Sequence, residues 1–480
     1  MKKTINNFMY QSIFQLVKII LPLITIPIVS NALGPDGIGT YNYTNSIAQY
    51  FVLIAGLGVG VYGNREIAIV RENKEKLSQR FWELFCMSFI ISLFSLVAYL
   101  LIVSFSEDRI YFYLQSLIVV AAVFDISWFF MGIEDFKKIS LSSLFSQIIT
   151  FLGIVIFVKE ANDLWIYILL QSMSILIAQV ITWIFIFDKI NIKKIALQDI
   201  FKHLYPSLQY FIPKIAIILY ANMNKTLLGW LDSKNSVGYY ANTLIINGVL
   251  VTLVTTLDLV LLPKFSNLVS KGKNEDIVKA MKKTINIQLF FTIPMMFGLW
   301  EITPKFVPWF FGEKFLLLLN TIPFVAPLIV IIPLGMAVGR QYLVPMNRIR
   351  VYNIAVILGA VVSIISNLLL IPVIGIYGAI ISTILAELFV TTTRFTSFVR
   401  ETSFRLKLKN IVVYFLSGIL MILAIRYISG NMSPSPFTTL VQVIIGSLIY
   451  MFLTTILKVN PLIAFIKKKK IILSIFHLCT

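Results

Sequence analysis

Apolar stretches of about 18 or more residues recur fourteen times along this chain. They lie near 9–31, 43–62, 81–104, 110–132, 139–158, 163–187, 205–231, 240–262, 284–303, 315–338, 350–372, 374–394, 411–428 and 437–457. A bilayer's hydrocarbon core is about 30 Å thick, and a helix rising 1.5 Å per residue needs roughly 20 apolar residues to cross it. Inside hydrocarbon no water is available to backbone N–H and C=O groups, so each stretch must close its own hydrogen bonds as a helix. The expectation is an all-α integral membrane protein of about 14 transmembrane helices. A content of 58% hydrophobic and 13% charged residues agrees with that class and excludes an ordinary soluble domain.

The connections sort by charge. Counting the N-terminal tail and every second connection gives thirty-two of the forty-one Lys and Arg residues, ending with Lys467 to Lys470. The opposite connections hold six, namely Arg109, Lys159, Lys234, Lys305, Lys314 and Arg426. Short cytoplasmic loops collect Lys and Arg, so both termini are expected in the cytoplasm. The formal net charge of +19 is spread along one membrane face, which points to anionic membrane lipids as partners and away from nucleic acid. The opposite loops, such as SEDR and KEAND, are too short to fold into an external domain. The N-terminal MKKTINNFMYQSIF carries a Lys pair but no small-residue cleavage site, and reads as a retained first span rather than a signal peptide.

Several chemistries find no support. Cys86 and Cys479 are far apart in sequence, and neither His203 nor His477 has a second ligand at helical spacing, so no metal and no cofactor is expected. The stretch GLGVGVYG, Gly56 to Gly63, looks like a nucleotide loop. It sits within the second span with no strand before it, so close helix packing or a bend explains it better. No catalytic constellation appears, and no enzymatic activity is expected.

Three basic residues remain inside spans: Lys18, Lys214 and Lys225. Ionisable groups at membrane depth cost roughly 2.5–3.5 kcal/mol on insertion scales and normally face an interior or a wet cavity. Lys214 and Lys225 are eleven residues apart, about 20° around a helix and roughly 16 Å along it, with Asn222 near the same face. In the first span Gln11, Gln15 and Lys18 form a second narrow stripe. Snorkelling toward headgroups is the alternative, strongest for Lys225 near a span end. Asn42 and Asn45, at the start of the second span, supply amides of the kind a sugar needs, although interhelical hydrogen bonding is their ordinary use. Asp125, Asp258 and Glu387 are carboxylates within spans, and are candidates for coupling to H⁺ or Na⁺; internal ion pairs or boundary positions are the alternative.

An internal echo links LGPDGIGTYNYTNSI, Leu33 to Ile47, with LDSKNSVGYYANTLI, Leu231 to Ile245. With six spans per unit, the chain divides into 1–203, 204–400 and a final segment 401–480 of two further spans with a basic tail.

Five stretches carry a family resemblance: LGPDGIGTYN, DISWFFMGIEDFKK, YANMNKTLLG, SVGYYANT and GRQYLVPMNR. Together and in this order they resemble the bacterial polysaccharide flippases of the Wzx type, in the multidrug/oligosaccharidyl-lipid/polysaccharide exporter superfamily. The resemblance implies two six-helix lobes around a central cavity plus two C-terminal helices. It also implies transfer of undecaprenyl-diphosphate-linked oligosaccharide between leaflets for capsule or O-antigen assembly, alongside polysaccharide polymerase machinery. The chain departs from its relatives at Asn224, where an acidic residue often precedes the lysine of the seventh span. A cation-coupled multidrug exporter of the same superfamily and a membrane polysaccharide polymerase are the competing readings.

Overall fold

A computed structural model describes residues 2–463. The side chains of residues 2–19 and of 212, 213, 216, 259 and 274 lie outside what is described. Among the described residues every regular element is helical. In chain order these are α1 (Lys2–Gly56), α2 (Val59–Val70), α3 (Lys74–Val103), α4 (Arg109–Val123), α5 (Ser127–Gly132), α6 (Phe136–Phe157), α7 (Leu164–Ile184), α8 (Leu197–Phe201) and α9 (Leu204–Leu231). Then follow α10 (Lys234–Ser270), α11 (Asn274–Phe310), α12 (Leu318–Val325), α13 (Leu328–Val338), α14 (Ile349–Ile374), α15 (Ile376–Glu401), α16 (Leu408–Ser429) and α17 (Pro436–Ile456). Twelve helical segments among the described residues are long and apolar enough to cross a membrane. The first of them joins two crossings, and the 28-residue α9, roughly 42 Å long, has the length for another. Large apolar side chains stand exposed on these helices, as at Phe94, Leu101, Leu369 and Val373, which suits helices that face hydrocarbon.

The helices fall into two compact units, residues 1–241 and 242–480, with the division inside α10. In the first unit α1 is two arms meeting at Gly34, whose φ of 68° and ψ of −177° leave the helical region. Pro35 explains the break, because its ring disfavours the α conformation in the residue before it, and glycine alone accepts positive φ freely. One turn later Gly39 sits against the start of α10. A Cβ there would stand 1.6 Å from the Lys234 carbonyl oxygen, and a Cβ on Gly238 would stand 1.9 Å from that of Pro35. Each glycine therefore lies over the carbonyl four residues before the other, and the two echoing motifs meet backbone to backbone.

The stretch GLGVGVYG is a bend and a packing surface, as its setting in a span required. Gly58 starts α2 at φ 77°, and Gly63 lies flat against the Trp128 indole. That indole belongs to an aromatic nest at one end of the unit. Phe81 stacks on Trp128 at 5.6 Å and meets Phe129 edge-on at 5.3 Å, with Trp183 and Phe85 beside them. A smaller core joins α1, α3 and α4 through Ala48, Tyr99 and Phe112, and Tyr99 donates its hydroxyl proton to the Phe112 carbonyl at 2.8 Å.

In the second unit α14 and α15 form a helical hairpin turned by Gly375 at φ 53°. The helix α11 packs against α13, α16 and α17. Glu301 of α11 holds Arg426 of α16 through two bonds, at 3.1 and 2.7 Å. Between α13 and α14 the residues Gly339–Leu343 form a π-helical turn.

Candidate functional site

In the first unit the second arm of α1 lies along α9, and this contact gathers much of the polar material. Lys225 Nζ donates to Asn42 Oδ1 at 3.0 Å, while the amide nitrogen of Asn42 closes on the Ile38 carbonyl at 2.9 Å. Next to them the hydroxyls of Ser46 and Tyr50 meet Thr226 Oγ1 at 2.8 and 2.9 Å. Asn222 turns its amide back to the Ile218 carbonyl at 3.1 Å. Asn45 donates to Gln115 Oε1 at 3.4 Å, an acceptor shared with Ser172. Tyr41 and Tyr167 meet edge to face at 4.9 Å, and Gln171 donates to the Tyr167 hydroxyl at 3.3 Å. Tyr41, Asn42, Tyr167, Gln171 and Lys225 are only partly buried.

Lys214 lies toward the other end of α9 and is exposed; its ammonium comes within 4.0 Å of where a Gly56 Cβ would stand. Among the described residues neither Lys214 nor Lys225 forms an ion pair. Gln11, Gln15 and Lys18 lie on α1, but their side chains are outside the described residues. Asn224 is buried and donates to the Tyr240 hydroxyl at 2.8 Å, a neutral pairing.

The three carboxylates occupy different environments. Asp125 is half-buried, and its Oδ1 accepts from the Ser127 N–H at 2.9 Å, so it organises the turn from α4 into α5. Glu387 is half-buried on α15. Asp258 is fully buried in the second unit. Its Oδ1 accepts from both Gln288 Nε2 at 2.7 Å and Gln341 Nε2 at 2.6 Å. Its Oδ2 has no partner among the described residues, nor do Gln288 Oε1, Gln341 Oε1 or the Thr292 hydroxyl. Gln341 belongs to the π-helical turn, and such turns are rare and often sit at functional sites. The result is a buried set of oxygen acceptors with capacity to spare, which suits a proton or a hard cation. Helical phase holds a signal for part of it, since Thr284, Gln288 and Thr292 form an i, i+4, i+8 polar stripe in an apolar run.

A further cluster shows only part of itself at helical spacing, where Gln79 and Arg80 stand four and three residues before Glu83. Glu83 of α3, 1% exposed, accepts from Gln79 at 2.9 Å, Lys202 at 3.0 Å and His203 Nε2 at 2.9 Å, with the Arg80 guanidinium at 3.4 Å. The opposite ring nitrogen of His203 meets the Tyr62 hydroxyl at 2.8 Å. Donation from Nε2 to the carboxylate makes Nδ1 the acceptor from Tyr62, the neutral tautomer. Arg80 also pairs with Glu66. The cluster ties the α8–α9 elbow to α2 and α3.

A bundle of helices long and apolar enough to cross a membrane, with two lysines on α9 that form no ion pair among the described residues, is consistent with a membrane transporter. Comparison with known proteins agrees. Residues 4–269 match the family described as polysaccharide biosynthesis protein. The chain is 22% identical over 302 residues to a protein of Escherichia coli (strain K12) assigned provisionally as an O-antigen transporter, covering 61% of this chain and 73% of that one. Among solved structures it is similar to the lipid II flippase MurJ in an inward closed conformation. There the TM-score is 0.77 at 16% identity, over 94% of this chain and 98% of the other. An inward-facing multidrug resistance MATE family transporter of the MOP superfamily gives 0.55 at 16% identity, over 87% and 98%. The fold is that of the multidrug/oligosaccharidyl-lipid/polysaccharide exporter superfamily, as the motifs implied. The chain belongs to the polysaccharide biosynthesis protein family.

Proposed function

We propose that this protein is a flippase moving undecaprenyl-diphosphate-linked oligosaccharide repeat units across the bacterial cytoplasmic membrane, by alternating access of the lobes 1–203 and 204–400. The observation that carries the reading is the pair of cations on α9 without a carboxylate partner, one of them held by Asn42 at 3.0 Å. A diphosphate needs uncompensated positive charge at membrane depth, a glycan needs amides and hydroxyls such as those of Asn42, Asn45, Asn222 and Gln171, and the polyprenyl tail can stay in the bilayer. Lys18, with Gln11 and Gln15, belongs to the same proposal from its phase on the first span. Cationic drugs would be repelled by this cavity, which weighs against a multidrug exporter.

Two roles separate the carboxylates. Asp258 is the proposed coupling group, binding H⁺ or Na⁺ among the spare oxygens of Gln288, Gln341 and Thr292. Asp125 and Glu387 remain weaker candidates, since Asp125 is already engaged in a turn.

The deciding experiment measures lipid-linked repeat units and surface polysaccharide in a deletion strain. Accumulation of undecaprenyl-linked units on the cytoplasmic side, relieved by the wild-type chain and not by membrane-inserted Lys214→Ala, is the expected result. Full export with Lys18, Lys214 and Lys225 all replaced by Ala would sink the proposal, as would drug resistance without any glycan phenotype. Asp258→Asn should reach the membrane yet lose the dependence of transport on the ion gradient.

A further inference from the structure

Asp258 is fully buried, and among the described residues it forms no ion pair. Two amides meet its Oδ1, and no described group meets its Oδ2. An ionised carboxylate taken out of water without a counter-charge is among the costliest groups a fold can hold. When no ion is bound, the site needs a cation from the protein itself.

The charged side chain whose field reaches Asp258 is Arg340, in the π-helical turn. Arg340 is half-buried and forms no ion pair among the described residues. Its Nη1 donates to the Thr255 carbonyl at 3.4 Å, a long bond that is readily given up. Thr255 and Asp258 are three residues apart on α10 and so share one face, which leaves the guanidinium about one turn from the carboxylate. The reach is sufficient, since the shorter side chain of the next residue, Gln341, already closes on Asp258 at 2.6 Å. Consecutive residues of a regular helix diverge by about 100°. The wider winding of the π-helical turn narrows that angle and lets Arg340 and Gln341 address the same turn of α10. The N–H donors that Arg340 does not spend on Thr255 suit the unpartnered Oδ2.

We propose that Arg340 is the exchangeable counter-ion of Asp258: its guanidinium and the coupling cation occupy the carboxylate in turn, and Arg340 withdraws to the Thr255 carbonyl as the ion enters. One positive charge faces the carboxylate in both states, and the approach of Arg340 displaces the ion. This exchange rests on the coupling role proposed for Asp258 and adds to it the group that empties the site.

The test uses the full chain in liposomes without any glycan lipid, with sodium and protons as probes. Exchange is followed as uptake of radioactive sodium and as decay of a pH gradient reported by an internal dye. For whichever ion the wild type exchanges, Arg340→Gln should lower the half-saturating concentration roughly tenfold or more, because an opposite charge beside a carboxylate weakens its hold on a cation by about that much. The maximal rate should fall as well, since nothing then displaces the ion. Arg340→Lys should stay near the wild type in both. Arg340→Met, which keeps an apolar stem, repeats the test should the glutamine variant misfold. Tighter binding with slower exchange is a combination that loss of a merely bracing contact does not give. A half-saturating concentration unchanged or raised in Arg340→Gln and Arg340→Met, with Asp258→Asn inactive in exchange, would overturn the counter-ion and leave the coupling site standing. Undiminished exchange by Asp258→Asn, or a wild type that exchanges neither ion, would overturn the coupling role and the counter-ion with it.

Discussion

Lys214 and Lys225 share one stripe of α9 but differ in surroundings, and their expected behaviour differs accordingly. Lys225 is partly buried with its ammonium on Asn42, so Lys225→Ala removes a charge-assisted hydrogen bond worth about 1.5–3 kcal/mol. If that energy acts on the bound diphosphate, transport should fall roughly ten- to hundredfold, and Lys225→Arg should recover part of it. Asn42→Ala should cost less, since the cation remains; an Asn42→Ala defect as large as that of Lys225→Ala would mean the pair acts in packing. His203 gives a second residue-level expectation. Burial holds its imidazole below the ordinary value of 6.5, with Glu83 pulling the other way. The unfolded chain then takes up the proton first, so this contribution to stability is fully present above pH 6.5 and is lost as pH falls through the lower folded value. Thermal unfolding of detergent-purified protein between pH 5 and 8 should show that acid limb, and His203→Gln should flatten it. The identity of these residues was readable from sequence for the lysines, because a charge in a greasy run stands out. His203 was not, since its partners Glu83 and Tyr62 are more than a hundred residues away and only folding brings them to it.

At the scale of elements, the reciprocal glycine contact between α1 and α10 makes a sharp prediction. Gly39→Ala and Gly238→Ala each place a methyl inside another backbone's carbonyl, so the helices must separate. Overpacking of this kind costs typically 1–3 kcal/mol. Both substitutions widen the same gap, and the double variant should therefore lose less unfolding temperature than the sum of the singles. Strict additivity would show that the two glycines do not share one contact. The motifs LGPDGIG and NSVGYY were visible as an echo in the sequence, yet nothing in one dimension says that they touch. The break at Gly34 was more legible, because Gly-Pro restricts the backbone locally whatever surrounds it. The opposite holds for Gln288 and Gln341. Gln341 looks like an isolated amide and Gln288 belongs to a polar stripe that names no partner, and both became partners of Asp258 only when α10, α11 and the π-helical turn packed together.

For the whole molecule, the expected cellular outcome is a block in surface polysaccharide export with lipid-linked precursor trapped on the cytoplasmic side. A C-terminal tag should be reached by impermeant reagents only after the cytoplasmic membrane is breached, the outcome expected from the thirty-two basic residues counted in alternate connections. What the sequence alone determined was the class of molecule: helical spans, their approximate ends and the lysines that fall within them. Hydrocarbon leaves a backbone only one way to satisfy itself within a single segment, so hydropathy translates into helices without knowledge of neighbours. Tertiary structure decided which polar groups spend themselves on each other and which keep capacity for a ligand. Asn224 and Asp125 are engaged, while among the described residues Asp258 retains an oxygen without a partner and the lysines of α9 form no ion pair. Apart from the local turn at Asp125, those distinctions depend on contacts between helices, and packing sets them.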